Sequence, residues 1–292
     1  MSAVWESNAI LAFPNYADID YYTPTFSGGL FSASAPLTNL QNRFLAAKAR
    51  TLDCTVEAST FRTDLKTLRE IKIIAIPRHN CSLNAVAAFR IYDLSGSVVA
   101  SGSQEVWPIT FPFGSLTFEH ESWGTGKLTQ EASRYFSMPI LFILPAGILG
   151  RYVDISISDT GNSAGYLEFS RLFISPGWQP SVNFAYGAKL GVNDPTIVTN
   201  SLGGADFYDL REKRRIANLS FDYIPNAEAF TQAFDMQVRL GLSGQLFFIY
   251  DPTDQTNLNR QSFLATATSL DPLTAASVGL SGISYSLKEV VA

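Results

Sequence analysis

Two histidines, His79 and His120, are the side chains of this 292-residue chain best suited to acid–base or metal chemistry near neutral pH. Neither stands in an HExxH or HxH arrangement. His79 ends the stretch Pro77-Arg78-His79, where a ring bonded to loop backbone is the expected role. His120 lies between Glu119 and Glu121, a charge pattern that assembles no site. A nucleophilic serine on a strained turn would carry the GxSxG pattern, which is absent. Gly28-Gly29 and Gly203-Gly204 fit neither GxGxxG nor GxxxxGK[ST], which disfavours nucleotide binding. The oxygen-rich stretch Asp251-Pro252-Thr253-Asp254-Gln255-Thr256-Asn257 lacks the glycine and closing glutamate of a calcium loop and reads as an Asx-type turn. Cys54 and Cys81 lack zinc-site spacing; buried free thiols are expected, with a bridge requiring adjacent strands. No catalytic, cofactor or metal residue is therefore expected, and the chain reads as a non-enzyme. A glycan-cleaving carboxylate pair does not stand out either.

Two groups of residues are suited to binding. Trp107, Trp123 and Tyr135 lie in or near the loop-rich stretch 103–135, where exposed rings would stack on sugars as candidate glycan contacts. Arg211, Lys213, Arg214 and Arg215 concentrate four of the 21 basic residues around Glu212. On a strand these side chains alternate faces, so no single phosphate-binding stripe results. An edge that resists mispairing, or a subunit interface, is the expected use.

Composition sharpens this. Only 16% of residues are charged, against about 25% in an average soluble domain, while 13% are aromatic and 46% hydrophobic. Such a surface expects a partner, because interface cores are charge-poor and aromatic-rich. With a net charge of −5, that partner is not expected to be nucleic acid. The apolar stretch Met138–Leu149 falls short of the ~20 residues that span a bilayer and holds two prolines, so no membrane anchor is expected and the stretch reads as a buried strand and turn. The opening residues do not read as a secretory signal.

The elements that must position these residues are mostly strands. Ile71–Ile76 is a β-branched run stopped by Pro77. Ala88–Asp93, the turn Ser95-Gly96-Ser97 and Val98-Val99 read as a hairpin. Tyr152–Asp159 alternates, and Tyr166–Ile174 follows as another strand. Short strands with Gly, Pro, Asn and Ser turns predict a mainly β chain whose first half is a β-sandwich or jelly roll. Ser175-Pro176-Gly177-Trp178-Gln179-Pro180 is the candidate boundary, placing one domain at 1–178 and a second at 179–292. In the second, Val182–Lys189 and Leu210–Tyr223 read as strands. One helix is predicted over about 225–240, its apolar stripe made of Ala229, Phe230, Ala233, Phe234, Met236, Val238 and Leu240.

Residues 37–180 resemble a discoidin-like, galactose-binding-type jelly roll of the kind found in bacteriophage tail proteins. The resemblance runs through Leu37-Thr38-Asn39-Leu40, Ala49-Arg50-Thr51, Ile71–Ile76 with His79-Asn80, and Phe89-Arg90-Ile91-Tyr92. It is most specific in Tyr152–Asp159, Gly165–Ile174 and Trp178-Gln179-Pro180-Ser181. The remainder, with Gly204, Tyr208-Asp209, Arg211–Arg215, Glu228-Ala229 and Asp251-Pro252, is similar to the β-barrel-and-helix domain of distal tail and hub proteins. The resemblance implies a structural component of a phage tail tip or baseplate. Its subunits would form a symmetric homo-oligomeric ring joining the tail tube to baseplate or receptor-binding parts, with the tape-measure protein and other baseplate proteins as neighbours. It places the protein in the virion tail, assembled in the bacterial host cytoplasm. The alternative reading is a carbohydrate-binding module contacting host surface glycans; no sugar-binding motif carries over residue by residue.

Overall fold

The computed structural model describes residues 6–133 and 138–291, and it is mainly β. Long antiparallel strands form where the sequence alternates, and both faces are buried where it does not. In the first half, strands run in the order Thr25–Gly28, Phe61–Ile76, Ile140–Ser158, Val86–Tyr92 and Val98–Glu105, and Phe173–Ser175 also pairs with Phe61–Ile76. A two-stranded sheet, Ala49–Arg50 with Glu168–Phe169, provides a second layer of this jelly-roll sandwich. Between them lies a core that includes Phe61, Ile74, Phe89, Phe142, Ile155 and Phe169. The expected hairpin closes on Asp93, whose Oδ1 accepts the N–H groups of Ser95 and Ser97 at 2.8 and 2.9 Å.

The second half is a seven-stranded antiparallel sheet. Its main path is Ile10–Ala12, Gln245–Ile249, Ser262–Leu270, Leu280–Glu289, Arg214–Pro225 and Lys189–Asn193. The path has two edges rather than a closed circuit. A helical segment packs on it, made of Asn226–Glu228, a π-helical stretch Ala229–Phe234, and Asp235–Leu240, and a short second helix, Leu258–Gln261, precedes strand Ser262–Leu270. Gly241, at φ +53°, ends it by donating its N–H to the Gln237 carbonyl. The predicted apolar stripe proves to be two. Ala229, Ala233 and Met236 face the core, whereas Phe230, Phe234 and Val238 face outward and are exposed.

Several sequence expectations change for physical reasons. The first strand, Ile10–Ala12, lies in the sheet of the second half, crossing the division expected at 178/179. Leu11 and Trp178 exchange backbone hydrogen bonds of 2.8 and 3.0 Å, so the boundary segment ties the two halves together. The Met138–Leu149 stretch holds no turn. One strand runs through it, and Leu144–Gly147 bulges between the pairs Ile71↔Ile148 and Ile73↔Ile143, because Pro145 cannot donate to the ladder. Tyr166–Ile174 splits into two short strands because Ser170 and Leu172 donate outside the sheet, to the carbonyls of Arg78 and of Leu40 in the 3-10 turn Leu37–Gln41. The Leu210–Tyr223 strand begins at Arg214, opposite Asn193, where its edge partner ends. Lys189–Asn193, not Val182–Lys189, is that partner.

A third core joins the halves. Ile73, Ala75, Leu141 and Phe173 of the sandwich meet Ile10, Ala12, Phe247, Ile249 and Leu264 of the second sheet. Their odd and even neighbours point into the two separate cores, which is why these strands read as unbroken apolar runs. The rings of Phe173 and Phe247 stand 6.1 Å apart across this joint. Phe247→Ala should therefore cost about 3–5 kcal/mol in urea unfolding while the transition remains single and cooperative. Two separated transitions in the parent protein would contradict a shared core.

Candidate functional site

Where the sandwich loop after Ile76 meets the start of strand Arg214–Pro225, the two halves leave a cleft of about 900 Å³. Arg78 and Glu212 form an ion pair across it. Asn80 is used structurally: it donates to the Tyr166 carbonyl at 3.0 Å and accepts the Glu168 N–H at 2.7 Å. Trp107 backs the wall, donating its indole N–H to the Cys81 carbonyl at 3.1 Å, edge-on to the His79 ring. Glu168 takes Lys48 at 3.1 Å and Arg50 at 2.5 Å. Burial acts to raise its carboxyl, but these two cations hold it below the usual range. On the opposite wall Arg215 is locked. It pairs with Glu289 at 2.5 Å, donates to the carbonyls of Asn259 and Ser262, and stacks over Phe263 at 5.0 Å.

Three buried N–H donors of wall residues have no hydrogen-bond acceptor among the described residues: His79 Nε2, Arg214 Nε and Asn259 Nδ2. The tautomer of His79 follows from its neighbours. Nδ1 accepts the Cys81 N–H at 3.1 Å, so in the neutral ring the proton sits on Nε2. Burial is the dominant influence and lowers the His79 pKa to about 4, against the opposing pull of the Met138 carbonyl and Asp159. That carbonyl favours the proton, although no hydrogen bond of normal geometry reaches Nε2. His79 is partly exposed as a residue, but Nε2 itself is sealed from solvent. Asn259 is 7% exposed. Buried unsatisfied donors are unfavourable, and an acceptor-rich ligand would relieve them.

The residues singled out in the sequence are not brought together. Trp107, 8% exposed, is a core residue at the cleft wall and not a loop-tip platform. Trp123, 45% exposed, stands apart from the cleft lining and packs edge-on against Phe118 at 4.9 Å. Tyr135 lies outside the described residues. Of the basic run, Arg211 pairs with Asp209 at 3.1 Å and Lys213 with Asp194 at 3.7 Å, both on the surface. Lys213, Arg214 and Arg215 line the cleft, and Arg215 is held there by its partly buried pair with Glu289. His120 accepts the Ser122 N–H, and Asp251 caps the N–H of Thr253 in the expected Asx turn. Cys54 and Cys81 are buried free thiols, and burial pushes the Cys81 thiol pKa up. Among the described residues no cluster of His, Cys, Asp and Glu could hold a metal, and no helix is long and apolar enough to cross a membrane. Asn259 was invisible to sequence reasoning because it shares the cleft with a sandwich loop about 180 residues away in the chain; a local sign is the polar stretch before Ser262.

No protein-family model and no curated protein matches the chain. Among solved structures it is similar to a Streptococcus pneumoniae fucose binding module, at 13% identity and a TM-score of 0.36 over 56% of this chain and 95% of that one. It is similar also to the lectin domain of lectinolysin complexed with Lewis B antigen, at 10% identity and a TM-score of 0.35 over 56% and 96%. A third is the family 32 carbohydrate-binding module of Clostridium perfringens NanJ in complex with galactose, at 12% identity and a TM-score of 0.35 over 56% and 98%. At these values no residue role passes from those modules to this chain.

The enclosed His79 ring has a thermodynamic consequence. Between about pH 6.5 and pH 4 the unfolded chain binds a proton that the folded ring refuses, so stability is full above pH 6.5 and declines as pH falls toward 4. Denaturant titrations of the parent and His79→Gln from pH 7 to 4.5 should therefore converge, the parent losing stability faster. Parallel curves would contradict an enclosed neutral imidazole.

Proposed function

We propose that this chain is a non-catalytic glycan-binding protein whose saccharide site is the cleft between its two sheets. The observation that carries this reading is the pair of unsatisfied buried donors, Arg214 Nε and Asn259 Nδ2, on residues that line a cleft of about 900 Å³. Pockets of about 300–1,000 Å³ with apolar walls and a few convergent polar groups suit small ligands. Sugar hydroxyls and ring oxygens are acceptors that fit planar amide and guanidinium donors. The apolar surface comes from Trp107, Leu128 and Met138. Glycan-array screening should find saccharides whose binding weakens at least ten-fold in Asn259→Ala and is unchanged in Trp123→Ala. Loss of binding in Trp123→Ala alone would move the site to the exposed loop.

A second reading is favoured by a separate observation. Phe230, Phe234, Val238 and Leu242 leave an outward apolar face on and just beyond the helix, and the hairpin of Ile197–Asn200 with Asp206–Asp209 exposes Phe207 and Tyr208. In a structural subunit of a phage tail tip or baseplate, this surface would be covered by neighbouring copies in a ring, with tail-tube, tape-measure and other baseplate proteins beyond it. The protein would then reside in the virion tail, and its glycan cleft would contact the host surface. Light scattering should show concentration-dependent oligomers that Phe234→Ser disperses without loss of fold. A strictly monomeric protein, even when mixed with tail neighbours, would contradict the assembly role.

A further inference from the structure

Resting on the glycan reading, we infer that the cleft selects an anionic saccharide over a neutral one. Six cationic side chains line it against three carboxylates. Each carboxylate is already committed: Glu168 to Lys48 and Arg50, Glu212 to Arg78, and Glu289 to Arg215. Lys213 finds Asp194 outside the lining. Arg214 differs from these, because its guanidinium makes no ion pair or hydrogen bond with any described residue, and its Nε is sealed from solvent.

A partly buried guanidinium without a counter-ion is unfavourable for the protein alone. It is the group best matched to a planar or tetrahedral anion, which accepts two parallel N–H bonds from its fork. Asn259 lines the same cleft, and its unsatisfied Nδ2, just beneath the surface, adds a neutral donor for a neighbouring oxygen once its side chain turns outward. The three carboxylates around these two groups are already paired, so the ligand charge need not displace one of them from Arg214. The chemistry is that of a sugar bearing one carboxylate, sulfate or phosphate group.

Calorimetric titration of the full chain separates the possibilities. The probes are a tetragalacturonate, a sulfated galacto-oligosaccharide, a neutral galacto-oligosaccharide of equal length and inorganic sulfate alone. The inference expects at least one charged oligosaccharide to bind ten-fold or more tighter than the neutral one. That margin should shrink as salt rises from 50 to 500 mM. It should vanish in Arg214→Gln and be partly retained in Arg214→Lys, both checked for an unchanged melting temperature. Equal binding of charged and neutral sugars overturns the charge preference and leaves the glycan reading intact. Binding of sulfate alone as tight as that of the charged sugars overturns the saccharide part of the inference. No binding of any sugar overturns both readings together.

Discussion

The relation between the two halves depends on one apolar contact, the sheet-on-sheet joint of Ile73, Ala75 and Phe173 against Ile10, Phe247 and Ile249. A strand that buries one face can slide by two residues at modest cost. A strand that buries both faces cannot, because each side chain is committed to one of two different cores. Ile10–Ala12 is the extreme case: all three residues are buried, Leu11 toward the second core and its neighbours toward the joint. Chain order reinforces this, since that strand leads directly into the sandwich yet pairs with Gln245–Ile249.

With the joint fixed, the polar groups beside it are fixed too. Arg215, Glu289 and the Asn259 carbonyl form a closed network whose cost of burial is offset by complete bonding. On the sandwich side Asn80 performs the same task, tying the loop after Ile76 to Tyr166 and Glu168. The cleft therefore has stiff walls, and two of the residues left unsatisfied on them among the described residues, Arg214 and Asn259, are flanked by neighbours with their own bonds made. A binding site has this division: positioning groups with every bond made, and contact groups with bonds to spare.

Much of the fold was legible in the sequence. Period-2 alternation marks the hairpin read over 88–99 and the strand read over 152–159, and the helix over about 225–240 follows from its apolar repeat. What periodicity could not reveal was sharing. The apolar runs 71–76 and 246–249 look the same whether one core or two receive them, so the joint and the placement of Ile10–Ala12 were hidden. The helix stripe was read as one face because Ala and Phe are both apolar; size decided the matter, the small residues fitting against the sheet and the phenylalanines turning outward. The site was less legible still. Ring type drew attention to Trp107 and Trp123, yet one is a core residue and the other stands off the cleft. The basic run stands out in the sequence, but only three-dimensional pairing separates the locked Arg215 from Arg214, which has no partner among the described residues.

The central claim is that a saccharide occupies the cleft between the sheets. Hydrogen–deuterium exchange of the full chain, with and without a saturating acidic oligosaccharide, tests it most directly. The account predicts new protection in residues 77–81, 212–215 and 256–260, and none in 115–125. Protection confined to 115–125, or absent from both walls of the cleft, would contradict it.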